Sequence, residues 1–326
     1  MLTMFVLYKT VRRLGWSRGC GTAAAVLYGL SVIGLSTFVM IRMYMLLTLL
    51  TVVLMYLIVC LMQKFKPKYC ILTGLVLLSG LITQYYFVFY AFFLCAAYVI
   101  YALVKREYKA LAWFIPCALV GALSLLLVFP ACIDHLFADN IVSGGNAMEN
   151  LRNFAQYPVR LRTFISFVTH GLKAAIIIAL LAIIALGVYF RKFKAAAKDK
   201  RLDLRALVLM IVALISPVDE PRYIYNLVPA FVLAACLLLY LLEESLGSFE
   251  REGLIKTAAL LCIMTLALWQ ARCAPPDYLY PEYAEYDAIV AEHSDDKCVY
   301  FSDNRFEAIT QDLLQLMAFD DFYVSD

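Results

Sequence analysis

The sequence predicts an all-α polytopic transmembrane bundle of about nine full spans, with a partial N-terminal helix and a small C-terminal α/β extracytoplasmic segment. The first observation is composition: of 326 residues, 64% are hydrophobic and only 16% are charged, which is far more apolar than a soluble globular domain. The second is that the apolar residues form runs of about 15 to 23, near the length that crosses about 30 Å of hydrocarbon as a helix. These two features exclude an ordinary cytosolic enzyme.

The predicted spans follow the apolar runs in order. They lie at residues 20–40, 44–62, 69–83, 85–104, 110–132, 166–190, 205–217, 224–242 and 254–271. Residues 1–8 are apolar but too short to span, and no small-residue cleavage site follows them, as a signal peptide would require. We interpret them as the end of a truncated helix.

Lys and Arg are unevenly divided between alternate connections. The connections 9–19, 63–68, 105–109, 191–205 and 243–256 carry 19 Lys and Arg. The other connections and the tail carry 9, together with 18 of the 25 Asp and Glu. Because positively charged short loops are retained in the cytoplasm, the first set is predicted to be cytoplasmic and the other connections and the tail to lie outside.

The balance of charge reverses after Arg272. Residues 1–272 contain 26 Lys and Arg against 12 Asp and Glu, whereas residues 273–326 contain 2 against 13. This shift predicts a domain border between a membrane domain at 1–272 and an acidic extracytoplasmic segment at 273–326.

The acidic tail has the pattern of an α/β segment. Residues 297–302 and 322–324 resemble strands, and residues 306–317 have the apolar spacing of a helix. The sequence stops before such a unit is complete, so we interpret the chain as a fragment of a longer protein.

Two arginines lie in very short turns that are predicted to face outward. Arg42 separates two long apolar runs, and Arg222 follows a proline-rich turn with two acids. A guanidinium group offers a bidentate fork and stays protonated, so two of them at one membrane face suit a phosphate or pyrophosphate. Each residue alone could instead extend to the interface or pair with a neighbouring acid.

A third short outer turn contains Thr83, Gln84 and Tyr85. It is either an aromatic belt at the membrane interface or part of the lining of the same cavity. Asp134, His135, Asp139 and His170 do not have the spacing of metal ligands, and no metal site is predicted.

The order of these residues resembles the GT-C superfamily of integral membrane glycosyltransferases, and particularly the bacterial relatives of protein O-mannosyltransferases and lipid A aminoarabinose transferases. In that family an Arg-x-Tyr follows the third helix, a Thr-His-Tyr-like motif opens a later helix, and an Arg-Tyr precedes a late one. The matching residues are, in order, Arg42 and Tyr44, Thr83 and Tyr85, and Arg222 and Tyr223. Gln84 stands where His is common.

The resemblance covers most of residues 1–245 and implies transfer of a sugar from a polyprenyl-phosphate donor to an acceptor on the extracytoplasmic face. It implies that Arg42 and Arg222 neutralise the leaving phosphate. It further implies that Tyr44 and Tyr223 position that phosphate, and that the turn at 83–85 lines the cavity.

The catalytic carboxylate of that family lies in the first extracytoplasmic loop, between the first two helices. This chain begins at about the end of the second helix, and no acid within residues 1–130 is predicted to lie outside, since Glu107 is cytoplasmic. General-base catalysis needs a carboxylate within hydrogen-bond reach. We therefore expect the catalytic residue to be missing from this chain, unless Asp134 replaces it.

Two other functions stay open. A transporter or lipid flippase would need polar groups near the middle of the membrane, yet the predicted spans hold few ionisable side chains, and broken helices paired by an inverted repeat are not evident. An inactive accessory membrane subunit would fit the missing carboxylate but gives the outer arginines no role.

The expected partners are a polyprenyl-phosphate sugar donor, membrane lipids and an unidentified acceptor, which would be a protein, a lipid or a polymer. Nucleic acid is not expected. No cofactor is predicted, and a divalent metal is left open. The expected location is a bacterial plasma membrane, crossed several times, with the tail outside.

Overall fold

The computed structural model describes residues 1–39, 43–84, 87–130, 157–188, 225–246, 252–273, 292, 298–301 and 322–325. The chain divides into two compact units, Met1–Pro276 and Asp277–Asp326.

The first unit has eleven α-helices in the described residues. They are α1 (Leu2–Leu14), α2 (Arg18–Gly29), α3 (Val32–Val39), α4 (Tyr44–Gln63), α5 (Pro67–Thr83), α6 (Phe87–Val104), α7 (Tyr108–Val128), α8 (Tyr157–Gly171), α9 (Lys173–Val188), α10 (Val228–Leu246) and α11 (Glu252–Cys273). A 3₁₀ turn at Tyr225–Leu227 leads directly into α10.

Helix α4 is the centre of the bundle. It packs against α1, α3, α5, α6 and the 3₁₀ turn. It has 20 residues and no charged side chain, so it is about 30 Å long. Met55 and Ile58 are fully buried, whereas Leu123 and Leu127 of α7 are more than half exposed. An exposed apolar helix face of this kind suits contact with lipid.

Several helices have the length and composition of membrane spans. In the described part of the chain these are α4, α7, the 3₁₀ turn with α10, and α11, and the bent pair α8 and α9 makes a fifth if it is counted as one span. Helices α5 and α6 are apolar but shorter. A helical bundle with several potential spans is therefore confirmed. The full set of nine stays a prediction, and the predicted span 205–217 lies outside the described residues.

Two predicted spans are broken, so their continuity was wrongly predicted. The run at 20–40 is divided into α2 and α3 because Ser31 caps α3: its hydroxyl donates to the Tyr28 carbonyl (2.6 Å) and accepts from the Gly34 N–H (2.9 Å). The run at 166–190 bends by 94° between α8 and α9. Hydropathy alone does not detect such breaks, because both halves are apolar.

Two predicted connections are partly helical. The N-terminal helix does not stop near residue 8 but continues to Leu14, where Gly15 ends it in a left-handed conformation with φ 92°. In the predicted outer loop, α8 already begins at Tyr157. Both segments carry polar residues that made them resemble loops, although one face of each is apolar.

The basic connections meet at one end of the bundle. Gln63, at the end of α4, donates to the Arg13 carbonyl, and the Tyr101 hydroxyl of α6 donates to the Met62 carbonyl at 2.9 Å. Lys256 of α11 pairs with Glu243 of α10 at 3.2 Å. Glu243 also accepts from the Cys20 thiol of α2 at 3.4 Å. The segments at 9–19, 63–68, 105–109, 243–246 and 252–256 therefore share this end, which is opposite the end of α4 that begins at Tyr44.

The second unit contains two short strands, β1 (Cys298–Phe301) and β2 (Phe322–Ser325). They pair in parallel, with Cys298 opposite Phe322. Parallel neighbouring strands need a crossover connection of about a dozen residues or more. The 20 residues between β1 and β2 are long enough for one. The helix predicted at 306–317 lies outside the described residues, so the α/β segment stays a prediction.

Candidate functional site

The structure describes three of the seven predicted site residues. Tyr44 is the first residue of α4, Thr83 is the last residue of α5, and Gln84 follows it. The other four, which are Arg42, Tyr85, Arg222 and Tyr223, lie outside the described residues.

Tyr44 contacts Tyr225, the first residue of the 3₁₀ turn. Their ring centroids are 5.5 Å apart and the rings are nearly perpendicular, at 80°, which is a favourable edge-to-face geometry. Each side chain is only 2% exposed. The starts of α4 and α10 therefore meet at the end of the bundle opposite the basic connections, and each start closely follows a predicted Arg-Tyr motif.

Phe167 of α8 completes this aromatic cluster. Its ring lies 5.3 Å from that of Tyr225, at an angle of 47°. Sequence reasoning missed both Phe167 and Tyr225. One sequence signal could have indicated Tyr225. Tyr223 and Tyr225 both lie just before a late apolar run, so two aromatic side chains are expected near the turn that begins this run.

A layer of buried polar side chains begins beside this aromatic cluster. Asn226, 3% exposed, follows Tyr225, and its side-chain oxygen has no hydrogen-bond partner among the described residues. Thr48, one turn along α4 from Tyr44, is fully buried, and its hydroxyl donates to the Tyr44 carbonyl at 2.8 Å. Polar groups therefore extend inward from the aromatic contact.

Further polar groups of this layer come from α2 and α3. The Tyr28 hydroxyl lies beside the hydroxyls of Thr37 and Thr48 but has no hydrogen bond of ordinary geometry in the described part of the chain. The Ser36 hydroxyl is fully buried and, within the same residues, also lacks a partner. Buried polar groups without partners cost about 1–3 kcal/mol each. These three groups, on Asn226, Tyr28 and Ser36, therefore favour the presence of water or of a polar ligand beside them.

Gln84 joins α5 to α6 at the same end as Tyr44. Its N–H donates to the Gly80 carbonyl at 2.9 Å, and its carbonyl accepts from the Phe87 N–H at 3.1 Å. The Thr83 hydroxyl donates to the Ser79 carbonyl at 2.7 Å. Thr83 and Gln84 are both half-buried. Because the hydroxyl of Thr83 is bonded within its own helix, Gln84 is the better candidate of the two for contacting a ligand.

The described residues contain no group of three or more His, Cys, Asp or Glu side chains placed to hold a metal ion. Chemistry in the described layer would depend on hydroxyl, phenol and amide groups. Such groups bind and orient a ligand through hydrogen bonds, but none of them is a strong general base at neutral pH.

No protein-family model, curated protein or solved structure matches this chain.

Proposed function

We propose that this chain is the membrane part of a glycosyltransferase that takes a sugar from a polyprenyl-phosphate donor and delivers it to an acceptor at the extracytoplasmic face. The observation that carries the proposal is the contact between Tyr44 and Tyr225. Arg42 is two residues before the first tyrosine, and Arg222 is three before the second. Since consecutive residues span at most about 3.6 Å each, the contact is compatible with both guanidinium groups binding one phosphate.

The buried polar layer gives a second line of support. A lipid-linked sugar has a charged phosphate, a polar sugar and an apolar chain. The phosphate would bind at the paired arginines. The hydroxyl groups of the sugar would form hydrogen bonds with the unpaired side-chain oxygen of Asn226 and with the hydroxyls of Tyr28 and Ser36. The polyprenyl chain would lie against the apolar helices.

The test measures donor-lipid binding, because the two arginines are proposed to act on the phosphate of the donor. Undecaprenyl phosphate and undecaprenol, which lacks the phosphate, are titrated against the purified full chain in detergent by native mass spectrometry. We expect the phosphate form to bind more tightly. Arg42→Ala and Arg222→Ala should each weaken its binding about tenfold or more, because a charged hydrogen bond is worth about 1.5–3 kcal/mol and 1.4 kcal/mol is a factor of ten.

The control is Lys105→Ala, which removes an exposed cation at the opposite end of the bundle and should leave binding unchanged. Arg42→Lys keeps the charge but loses the bidentate fork, so it should fall between the native chain and Arg42→Ala. Equal binding of undecaprenyl phosphate and undecaprenol, or equal losses in the control, would refute the phosphate site.

A second function, membrane transport, is favoured by one observation. The breaks at residues 30–31 and at Leu172 divide two apolar runs, and discontinuous helices of this kind form substrate sites in secondary transporters. Uptake of a labelled polar solute into proteoliposomes that contain the chain, abolished by Asn226→Leu, would replace the transferase proposal. Binding of undecaprenyl phosphate without such uptake would support the transferase.

A further inference from the structure

A cavity lies at the end of the bundle that carries the basic connections, opposite the candidate site described above. It has a volume of about 240 Å³, whereas one buried water needs about 10–15 Å³. It is lined by two cations, Arg12 and Lys256, two acids, Glu243 and Glu244, and the aromatic side chain of Trp16. The cavity therefore has room for a headgroup, and its charges balance.

Trp16 forms part of the wall of this cavity. Its side chain is 1% exposed, and the indole N–H has no partner among the described residues. The ring is stacked on Tyr240 of α10, with centroids 5.6 Å apart and an angle of 11°. The stack holds the Trp16 ring in place in the wall of the cavity.

The charged groups have a fixed arrangement. Glu243 accepts from the Cys20 thiol at 3.4 Å and pairs with Lys256 at 3.2 Å. The side chain of Glu243 is only 17% exposed, and that of Lys256 is 42% exposed. Arg12 donates to the Trp16 carbonyl. Lys256 and Glu243 form an ion pair in the wall of the cavity, and Arg12 and Glu244 add one charge of each sign to its lining. This lining suits a ligand that carries charges of both signs.

An apolar groove continues from this cavity between α2, α10 and α11. The two spaces share Glu243 and Lys256 as lining residues. The rest of the groove is almost wholly apolar, and its main lining residues are Ala23, Leu239, Leu242, Ala259, Leu260 and Ile263. The groove exists because Ala23 and Ala259 are small where larger apolar residues would fill the space.

We propose that this cavity and groove bind a zwitterionic phospholipid with a primary ammonium group, of the phosphatidylethanolamine type. The phosphate faces Arg12 and Lys256. The ammonium faces the carboxylates of Glu243 and Glu244, and one acyl chain lies in the groove. An anionic lipid offers no cation to the two acids, and a choline headgroup has no N–H to donate to them. This proposal does not depend on the glycosyltransferase proposal.

The test is native mass spectrometry of the full chain from detergent with three added lipids of identical acyl chains: phosphatidylethanolamine, phosphatidylglycerol and phosphatidylcholine. We expect the ethanolamine lipid to bind at least about tenfold more tightly than the other two. Arg12→Gln combined with Lys256→Gln should remove that preference, because the phosphate loses both cations.

Ala259→Phe tests the groove without changing any charge. Ala259 is exposed on α11, so the larger side chain is compatible with folding, and it should obstruct the acyl chain and weaken binding at least about tenfold. Ala258→Phe is the matched control: this neighbour is also exposed and does not line either space, so binding should be unchanged.

Two results would overturn the proposal. One is binding of phosphatidylglycerol or phosphatidylcholine as tight as that of phosphatidylethanolamine. The other is equal binding by Ala259→Phe and Ala258→Phe, which would place the lipid elsewhere on the bundle. If the double charge variant does not fold, Arg12→Gln alone keeps the ion pair of Lys256 with Glu243 and should still reduce binding of the ethanolamine lipid severalfold. Unchanged binding in Arg12→Gln would then count against the cavity.

Discussion

Gly74 of α5 and Gly121 of α7 lie directly against each other where the two helices cross. A Cβ atom added to Gly121 would lie 2.2 Å from the Gly74 carbonyl oxygen, and one added to Gly74 would lie 2.5 Å from the Cys117 carbonyl oxygen. Both obstacles are backbone atoms, so no side chain can rotate away. Close contacts between small residues are a frequent means of packing membrane helices.

Replacing either glycine by alanine should therefore separate α5 from α7. We expect Gly121→Ala to lower the free energy of unfolding by about 1–3 kcal/mol, the usual cost of overpacking, as measured by reversible SDS titration of the chain in mixed micelles. Gly187→Ala is the control, because nothing lies within 4 Å of the added Cβ. Equal stability of these two variants would contradict the close helix contact.

Gln270 of α11 stabilises the bend between α8 and α9. It accepts from the Ala174 N–H at 2.6 Å and donates to the Gly171 carbonyl at 2.9 Å. The side chain is 3% exposed. Gln270→Leu would leave two buried backbone groups without partners, each costing about 1–3 kcal/mol, so the same SDS titration should show a loss of at least about 2 kcal/mol.

Thr265→Val is the matched control for this variant. Thr265 is exposed on the same helix, and its hydroxyl donates to the Leu261 carbonyl of its own helix. We expect a change of less than about 0.5 kcal/mol, as for other surface substitutions. If Thr265→Val lowered the free energy of unfolding as much as Gln270→Leu, the loss would reflect removal of any polar group from α11 and not the bonds of Gln270 at the bend.

The rings of Tyr44 and Tyr225 should be energetically coupled. In a double-mutant cycle of Tyr44→Leu and Tyr225→Leu, we expect a coupling free energy of about 0.5–1.5 kcal/mol, the usual value for an edge-to-face pair. Unfolding of the four chains provides the measurement. The control cycle pairs Tyr225→Leu with Phe92→Leu, whose ring is 64% exposed, and it should be additive. Additivity in the first cycle would refute the contact.

The side of each connection can be tested by cysteine labelling. Lys66→Cys and Lys105→Cys lie at the end shared by the basic connections, and Gln84→Cys lies at the opposite end of α5. We expect an impermeant maleimide to label Gln84→Cys in intact cells, above the level of the parent chain, and to label the other two only after permeabilisation. Labelling of all three from one side would disprove a membrane crossing by α5.

Runs of apolar residues predicted the helices best where the chain has strong local signals. The span expected at 44–62 corresponds to α4, Tyr44–Gln63. Its apolar run is continuous, and the short turn before it and the Lys-rich connection after it define both ends of the helix. The charge asymmetry likewise indicated which connections share one end. Gln63 bonded to Arg13 and Tyr101 bonded to Met62 place three of them together.

The bend between α8 and α9 and the site contacts could not be predicted in this way, because they depend on residues far apart in sequence. The bend at Leu172 depends on Gln270, which looks like an ordinary polar residue near the end of a span. The partner of Tyr44 is Tyr225, which does not belong to either motif. The convergence of Arg42 and Arg222 stays a prediction, and the contact between Tyr44 and Tyr225 had no signal in the motifs.

The dependence of the bend on Gln270 sets an order of events during biosynthesis. Gln270 is 96 residues beyond Ala174 and 99 beyond Gly171, so at about 5–20 residues per second the ribosome needs about 5–20 s to reach it. During that interval the broken segment is without the side chain that satisfies its backbone. The nascent chain must therefore keep this segment straight, hydrated or in contact with the insertion machinery until α11 arrives, and the sharp bend is one of the last features of the bundle to form.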